Sequence, residues 1–442
     1  MATFAEVEAE LTARGYTRMV FDLSRIEGLL DLLGSPHRAY PAIHITGTNG
    51  KTSTARMIDV LLQAHGLRTG RYTSPHLTTV RERICIDGEP VSEDAFVGIY
   101  EEIAPVAEFL DHRSAGETLT YFDMTTAMAL AAFADAPVDV AIVEVGLGGA
   151  DDSTNVLRAG TCVVTPISLD HTQWLGDSIA DIALAKAGII HRGATVVSAA
   201  QPAEAVRPLL ERCAEVEATV AREGEEFGVR SRAIAVGGQL LTFQGLGGVY
   251  EDVFLPLHGA HQAQNAAVAL AAVEAFLGAG ATRQLDLDVV RTGFAAATSP
   301  GRLERVRSAP TILLDAAHNP HGLNATVEAL REEFSFTRLV VVLGVLADKD
   351  VVAMLDILEP VADAIVCTRN SSPRAMPADE LGRLAIEAFG EDRVSVVPAM
   401  PDAIEKAVEL AEADLEILSG AGVLITGSVV TVGDARRLLV RE

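Results

Sequence analysis

The sequence predicts an α/β protein built on parallel sheets, in two parts. Three observations carry this. Continuous apolar segments of strand length alternate with helical patterns, a Gly-rich loop joins one such strand to a helix, and a Ser-Pro-Gly break near residue 300 restarts the alternation. At 442 residues the chain is long enough for two or three domains. A hydrophobic fraction of 49% with 22% charged residues is a globular composition.

From residue 1 to 298, buried strands alternate with amphipathic helices. Val138–Val145 and Thr161–Thr165 read as strands covered on both faces. Between about 217 and 257 the texture turns Gly-rich and β-leaning (Ala233–Val236, Leu240–Phe243), which predicts a small antiparallel excursion. An Ala-rich helix follows at Ala263–Phe276, ended by Gly278. Thr298-Ser299-Pro300-Gly301 is linker-like, and a second, smaller parallel-sheet domain is expected from 299 to 442, with the site at the Gly-rich loop facing the junction. Its strand candidates are Thr311–Leu314, Leu339–Leu343, Ala364–Cys367, Val394–Val397 and Val423–Thr426.

The net charge of −26 argues against a nucleic-acid or anionic-membrane binder, because phosphate contacts need clustered cations. No run approaches about 20 uninterrupted apolar residues, so no membrane span is expected. Glu6, Glu8, Glu10 and Arg14 leave no apolar signal region, and Cys85, Cys162, Cys213 and Cys367 stand far apart as free thiols. The expected location is the cytoplasm.

The chemistry begins with Thr46-Gly47-Thr48-Asn49-Gly50-Lys51-Thr52-Ser53. It follows the apolar Ile43 and Ile45 and precedes the helical pattern Met57, Ile58, Val60, Leu61, Leu62. Strand, Gly-rich loop, Lys-Thr and helix together present backbone N–H groups to phosphate oxygens. Lys51 adds a point charge, and the Thr52 or Ser53 hydroxyl can meet Mg²⁺. The first glycine of the usual spacing falls at Ile45, and a plain Gly-Asn turn is the alternative.

Further candidates gather at predicted strand ends. Glu144 closes a strand before Gly146-Leu147-Gly148-Gly149, where a carboxylate can hold Mg²⁺; an ordinary strand-end Glu is the alternative. His171 follows Ser168-Leu169-Asp170 and reads as a structural hydrogen-bonder or a metal ligand, although Mg²⁺ prefers oxygen. Ser74, in Ser74-Pro75-His76, is a metal ligand or part of a turn. Lys186 by itself reads as a snorkelling surface lysine. Asn319 fits an N-cap ahead of Pro320, while Asp315 and His318 add polar groups at a strand's end. Arg302 reads equally as an exposed linker residue or a phosphate clamp. The loop Arg369–Arg374 is a candidate for a glutamate pocket.

In order along nearly the whole chain, these segments resemble the ATP-dependent Mur ligase superfamily, in its folylpolyglutamate synthase / dihydrofolate synthase branch of bifunctional bacterial type. The resemblance rests on Leu29–Gly34, Gly47–Lys51, Thr73–Leu77, Glu144–Gly149, Asp170–Thr172, Lys186–Ile189, His261–Ala266, Gly301–Glu304 and Asp315–Pro320. It implies a P-loop parallel-sheet domain (1–298) binding ATP and a pterin, plus a smaller Rossmann-like C-terminal domain (299–442) of glutamate-ligase type. Lys51 and its loop would hold ATP phosphates. Ser74 and Glu144 would bind one Mg²⁺, and His171 would help bind a second. Lys186 matches a lysine that is carbamylated in such enzymes. Asn265, Arg302, Asp315 and His318 match nucleotide-contacting positions, and Phe122 and Asp152 fall near the pterin site.

The implied reaction joins L-glutamate to dihydropteroate or a reduced folate through an acyl phosphate, in a chain expected to act as a monomer. Two departures stand out: Ala150 and Asp151 replace the family's Arg-(Leu or Trp), and Ala185 replaces a Glu before the lysine. Peptidoglycan-type Mur ligase and catalytically inactive nucleotide-binding regulator are the competing functions. Lys51, Lys186, His171 and Arg302 are the residues expected to carry catalysis.

Overall fold

A computed structural model describes residues 2–15, 18, 20, 22–113, 118–280, 283–413 and 420–440. The chain divides into two units: 1–256 with 262–298, and 257–261 with 299–442. The excursion of 257–261 into the second unit has a local cause. His258 Nδ1 and Gly259 N each lie 2.7 Å from the carboxylate of Glu333, whose side chain is 1% exposed. A linear reading of the sequence carries no sign of that exchange.

The first unit is built on eight strands: β1 (Ala42–Thr46), β2 (Thr69–Tyr72), β3 (Ile84–Ile86), β4 (Glu89–Pro90), β5 (Val140–Glu144), β6 (Thr161–Val164), β7 (Thr195–Ser198) and β8 (Thr219–Arg222). Their spatial order is β4-β3-β2-β5-β1-β6-β7-β8, with the β2–β3 and β3–β4 pairings antiparallel and every other pairing parallel. Every residue of β1, β5 and β6 is buried, as expected of parallel strands covered on both faces. The register sets Ile45 beside Glu144 and Thr46 beside Val164, so the C-terminal ends of the three central strands share one edge.

The helix Lys51–Ala64 fully buries Met57, Ile58, Leu61 and Leu62, with Leu61 against Gly293 of the helix Leu287–Ala295. Burying each such side chain stabilises by about 1.5–3 kcal/mol. The helix also buries Asp59, which receives Arg71 Nε at 2.8 Å and Thr69 Oγ1 at 2.5 Å, tying it to β2.

The Gly-rich stretch forms the antiparallel sheet β9 (Gly228–Ala235), β10 (Gly238–Gln244) and β11 (Val249–Leu255), ordered β11-β10-β9. Gly237, at φ +77°, makes the β9–β10 turn. The helix Ala260–Phe276 anchors this sheet through Glu274, which accepts from Leu246 N, Gly247 N and Tyr250 Oη.

The second unit has six strands: β12 (Glu304–Ser308), β13 (Thr311–Leu314), β14 (Arg338–Leu343), β15 (Ala364–Cys367), β16 (Val394–Val396) and β17 (Ala421–Thr426). Their order is β12-β13-β17-β14-β15-β16, parallel apart from β12. All five strands expected here form, and β12 adds an antiparallel edge. No helix among the described residues is long and apolar enough to cross a membrane.

Candidate functional site

The loop after β1 is shaped by two glycines and a neighbouring strand end. Gly47 sits at φ +136°, and a Cβ there would meet Thr165 Oγ1 at 1.9 Å. Gly50, at φ +89°, opens the helix, and a Cβ there would meet Asn265 Oδ1 at 2.4 Å. Only glycine satisfies both backbone and space at these positions. Thr48 N and Asn49 N donate to Pro166 O at 2.9 and 3.3 Å, and Thr48 Oγ1 donates to Ser168 O at 3.1 Å. Asn49 Nδ2 reaches Ser168 Oγ at 3.3 Å. Ser53 is buried and its Oγ lies 3.3 Å from Gln262 Nε2. The Pro166–Ser168 segment and Gln262 therefore brace the loop. Sequence reasoning did not single out Pro166 or Ser168, although the end of the apolar run Thr161–Thr165 marks the same sheet edge.

Two amino groups meet at this loop. Lys51 Nζ donates to Gly47 O and Thr48 O, each at 3.1 Å, and Lys186 Nζ donates to Gly47 O at 2.7 Å. Lys186 is 5% exposed, which corrects the surface-lysine reading: its helix, Ile179–Ala187, turns that face inward against the loop. Burial, reinforced by the Lys51 charge and opposed by Asp170 and Asp152, pushes its amine down to about 7.

Glu144, 1% exposed, accepts from Thr52 Oγ1 at 2.9 and 3.0 Å and from Ser74 N at 3.3 Å. A helix-start hydroxyl, a second hydroxyl residue and a carboxylate form a hard oxygen set. Such a set suits Mg²⁺, which completes its shell with water and substrate phosphate oxygens. His171 adopts φ +53° at the start of the helix Thr172–Leu175, with Nε2 3.9 Å from Asp170 Oδ1. Among the described residues no three His, Cys, Asp or Glu side chains group as a metal cage.

Phe122, in the helix Tyr121–Asp135, and Asp152 both pack against the Gly146–Gly149 loop. A Cβ at Gly146 would meet the Phe122 ring at 2.4 Å, and that ring stands 6.0 Å from Tyr72. Asp152 accepts from Leu147 N at 2.8 Å, Thr154 N at 3.0 Å and Thr154 Oγ1 at 2.5 Å, so both its oxygens shape the loop. Burial holds its carboxyl above the usual range despite those bonds. The two departures also meet, because Ala150 N donates to Ala185 O at 2.9 Å. Asp151 is exposed.

In the second unit, Asp315 is buried at the end of β13 and accepts from Leu303 N, Ala317 N and Thr326 Oγ1 at 2.8–3.0 Å. It fixes the turn that carries Arg302, whose Nη1 lies 3.4 Å from Gly301 O. His318 Nδ1 is 3.0 Å from Ala316 O, and Asn319 caps the helix Pro320–Glu333 through Gly322 N at 2.8 Å. Arg302, Asp315 and His318 thus belong to one loop system. Asn370 Nδ2 reaches Ser428 Oγ and Thr431 Oγ1 at 3.2 and 3.0 Å, which ties the 369–374 loop to the last helix.

Residues 45–273 match the Mur ligase middle domain, and residues 301–429 match the Mur ligase glutamate ligase domain. The chain is 53% identical to the dihydrofolate synthase/folylpolyglutamate synthase of Mycobacterium tuberculosis, over 100% of this chain and 95% of that protein. The solved Mycobacterium tuberculosis folylpolyglutamate synthase complexed with ADP superposes with a TM-score of 0.95, covering 99% of this chain and 98% of that one. An FPGS–AMPPCP–folate complex, 32% identical, superposes at 0.86 over 100% of both chains.

Proposed function

The chain belongs to the Mur ligase family, in its folylpolyglutamate synthase/dihydrofolate synthase branch, and on that premise we propose the reaction and the division of labour within the site. The protein is an ATP-dependent ligase that joins L-glutamate to dihydropteroate and to reduced folates. The observation that carries this reading is the convergence of Lys51 and Lys186 on Gly47 O, beside the Thr52–Glu144 pair. Charge and hydrogen-bond donors are concentrated where a nucleotide's terminal phosphates would lie.

In the proposed chemistry the acceptor's carboxylate attacks the γ-phosphorus, breaking its bond to the β-phosphate oxygen and releasing ADP. The resulting acyl phosphate is then attacked by the glutamate amine, which forms the amide, expels phosphate and loses a proton. Lys51 would exchange its Gly47 and Thr48 carbonyls for phosphate oxygens. Arg302 would stabilise charge on the transferring group, with Asp315, His318 and Asn265 toward the nucleotide. Phe122 and Asp152 would border the pterin. In domain language, 1–298 would bind ATP and the pterin, and 299–442 would serve as the glutamate-ligase domain.

Ser74 and Glu144 would hold one Mg²⁺ and His171 would help hold a second, and these ions would neutralise phosphate charge. A buried amine brought down to about 7 is largely neutral at physiological pH, which suits Lys186 for carbamylation. The decisive experiment is ADP release with ATP, Mg²⁺ and glutamate, comparing dihydropteroate, tetrahydrofolate and UDP-muramoyl acceptors. Turnover with the first two is expected; stimulation only by the third would overturn the folate reading.

A further inference from the structure

At the edge of the first unit's sheet opposite the Gly47–Lys51 loop, an open cavity of about 430 Å³ is lined by Arg158, Gly160, His191, Arg192, Ala194 and Arg212 among others. Gly160 and Ala194 immediately precede β6 and β7, which run parallel to β1, so the cavity opens at the N-terminal strand ends. Three arginines and a histidine line it, on a chain of net charge −26.

The carboxylates at its rim do not consume this charge. Arg192 pairs with Glu217 at 2.8 Å with side chains 81% and 68% exposed, and Arg212 pairs with Glu215 at 2.9 Å with 28% and 68%. Pairs this exposed contribute under about 1 kcal/mol and yield readily to a better acceptor. Arg158 donates from Nη1 to His191 Nδ1 at 2.8 Å, and no carboxylate pairs with it among the described residues.

The imidazole is held in place from behind. Asn155 Nδ2 donates to Ala150 O and Gly188 O, at 2.9 and 3.3 Å, which leaves Asn155 Oδ1 to accept from His191 Nε2 at 3.1 Å. His191 Nδ1 then lacks a proton and accepts from Arg158. Burial, with Arg158 and Arg212 beside it, keeps the ring neutral by pushing it down to about 4. An anion set beside such a ring favours its protonated form and so raises the pH at which it titrates.

We propose that this cavity is a binding site for a phosphate dianion, free or as the end of a phosphomonoester, separate from the Gly-rich loop. The three guanidiniums come from three segments: the loop before β6, the loop before β7, and the helix Ala203–Glu215. Each can address one of the three terminal oxygens of such a group, whereas a carboxylate offers only two.

The test is calorimetric titration of the full chain carrying Lys51→Ala, which disarms the Gly-rich loop, with inorganic phosphate and with glycerol phosphate. One ligand should bind per chain, and Arg158→Ala with Arg212→Ala should weaken it about 10-fold or more, given what charged hydrogen bonds contribute. The tighter of the two ligands identifies the source. The pH midpoint of the His191 imidazole resonance, assigned by its loss in His191→Gln, should rise with phosphate and stay fixed in the Arg158 variant. Undetectable binding, affinity unchanged by the arginine substitutions in a folded protein, or an equal His191 response to L-glutamate would each overturn the proposal.

Discussion

Two amino groups that share one carbonyl oxygen repel each other, and burial decides which of them gives up its proton. Lys51 is half-buried, whereas Lys186 is 5% exposed and donates to Gly47 O across 139 residues of sequence. The charge of Lys51 is therefore available to phosphate, and Lys51→Ala is expected to cut ligation by about 10²-fold with the fold kept, as steady-state ADP release and circular dichroism would report. Lys186 carries a stability signature as well. Its folded-state amine titrates at about 7 against 10.5 ordinarily, so across that interval the unfolded chain holds a proton that the folded chain lacks. Stability must then rise with pH through the interval. The urea midpoint of wild type minus that of Lys186→Met should increase from pH 7 upward, and a flat difference would show the amine to be exposed. Activity that survives Lys186→Ala would remove the carbamate reading. In sequence Lys186 looks like any lysine among Ala and Ile, because its burial is set by a partner outside its own helix.

At the scale of elements, the loop's geometry depends on what packs against it. Gly50 combines φ +89° with an Asn265 Oδ1 that would stand 2.4 Å from any Cβ. Gly50→Ala should destabilise the protein by about 1–3 kcal/mol, in the range of single strained backbone positions, and raise KM for ATP. Thermal melts and ATP titrations measure both; an unperturbed variant would show that the loop relaxes freely. The strand–loop–helix arrangement was legible in the sequence because periodicity and glycine placement are local signals. So were the antiparallel excursion and the Asn319 cap. The bracing by Pro166, Ser168 and Gln262 was not, since strand order in a parallel sheet follows from crossovers rather than from neighbouring residues. Nor could the sequence reveal that Ala150 and Ala185 face each other, because each was read only against its own motif.

For the molecule as a whole, a net charge of −26 means self-repulsion that favours expansion. Screening should relieve it, so the calorimetric Tm is expected to rise between low and physiological ionic strength. A fall would mean that surface ion pairs such as Arg192–Glu217 outweigh the repulsion. The place of residues 257–261 in the second unit has, by contrast, a local cause. Glu333 draws His258 and Gly259 into the second unit, a choice made by one buried carboxylate rather than by linker composition. What the sequence determined by itself is the α/β class, the Gly-rich loop, the strand-end residues and, through their order, the family, since period, turn chemistry and motif spacing are written within short windows. What only the tertiary structure decided is which side chains are buried and what they meet: Lys186 on Gly47, Asn265 on Gly50, Thr52 on Glu144, and the arginines around His191. Those depend on strand order and register, which bring residues a hundred positions apart within hydrogen-bond distance, and desolvation there sets the chemistry.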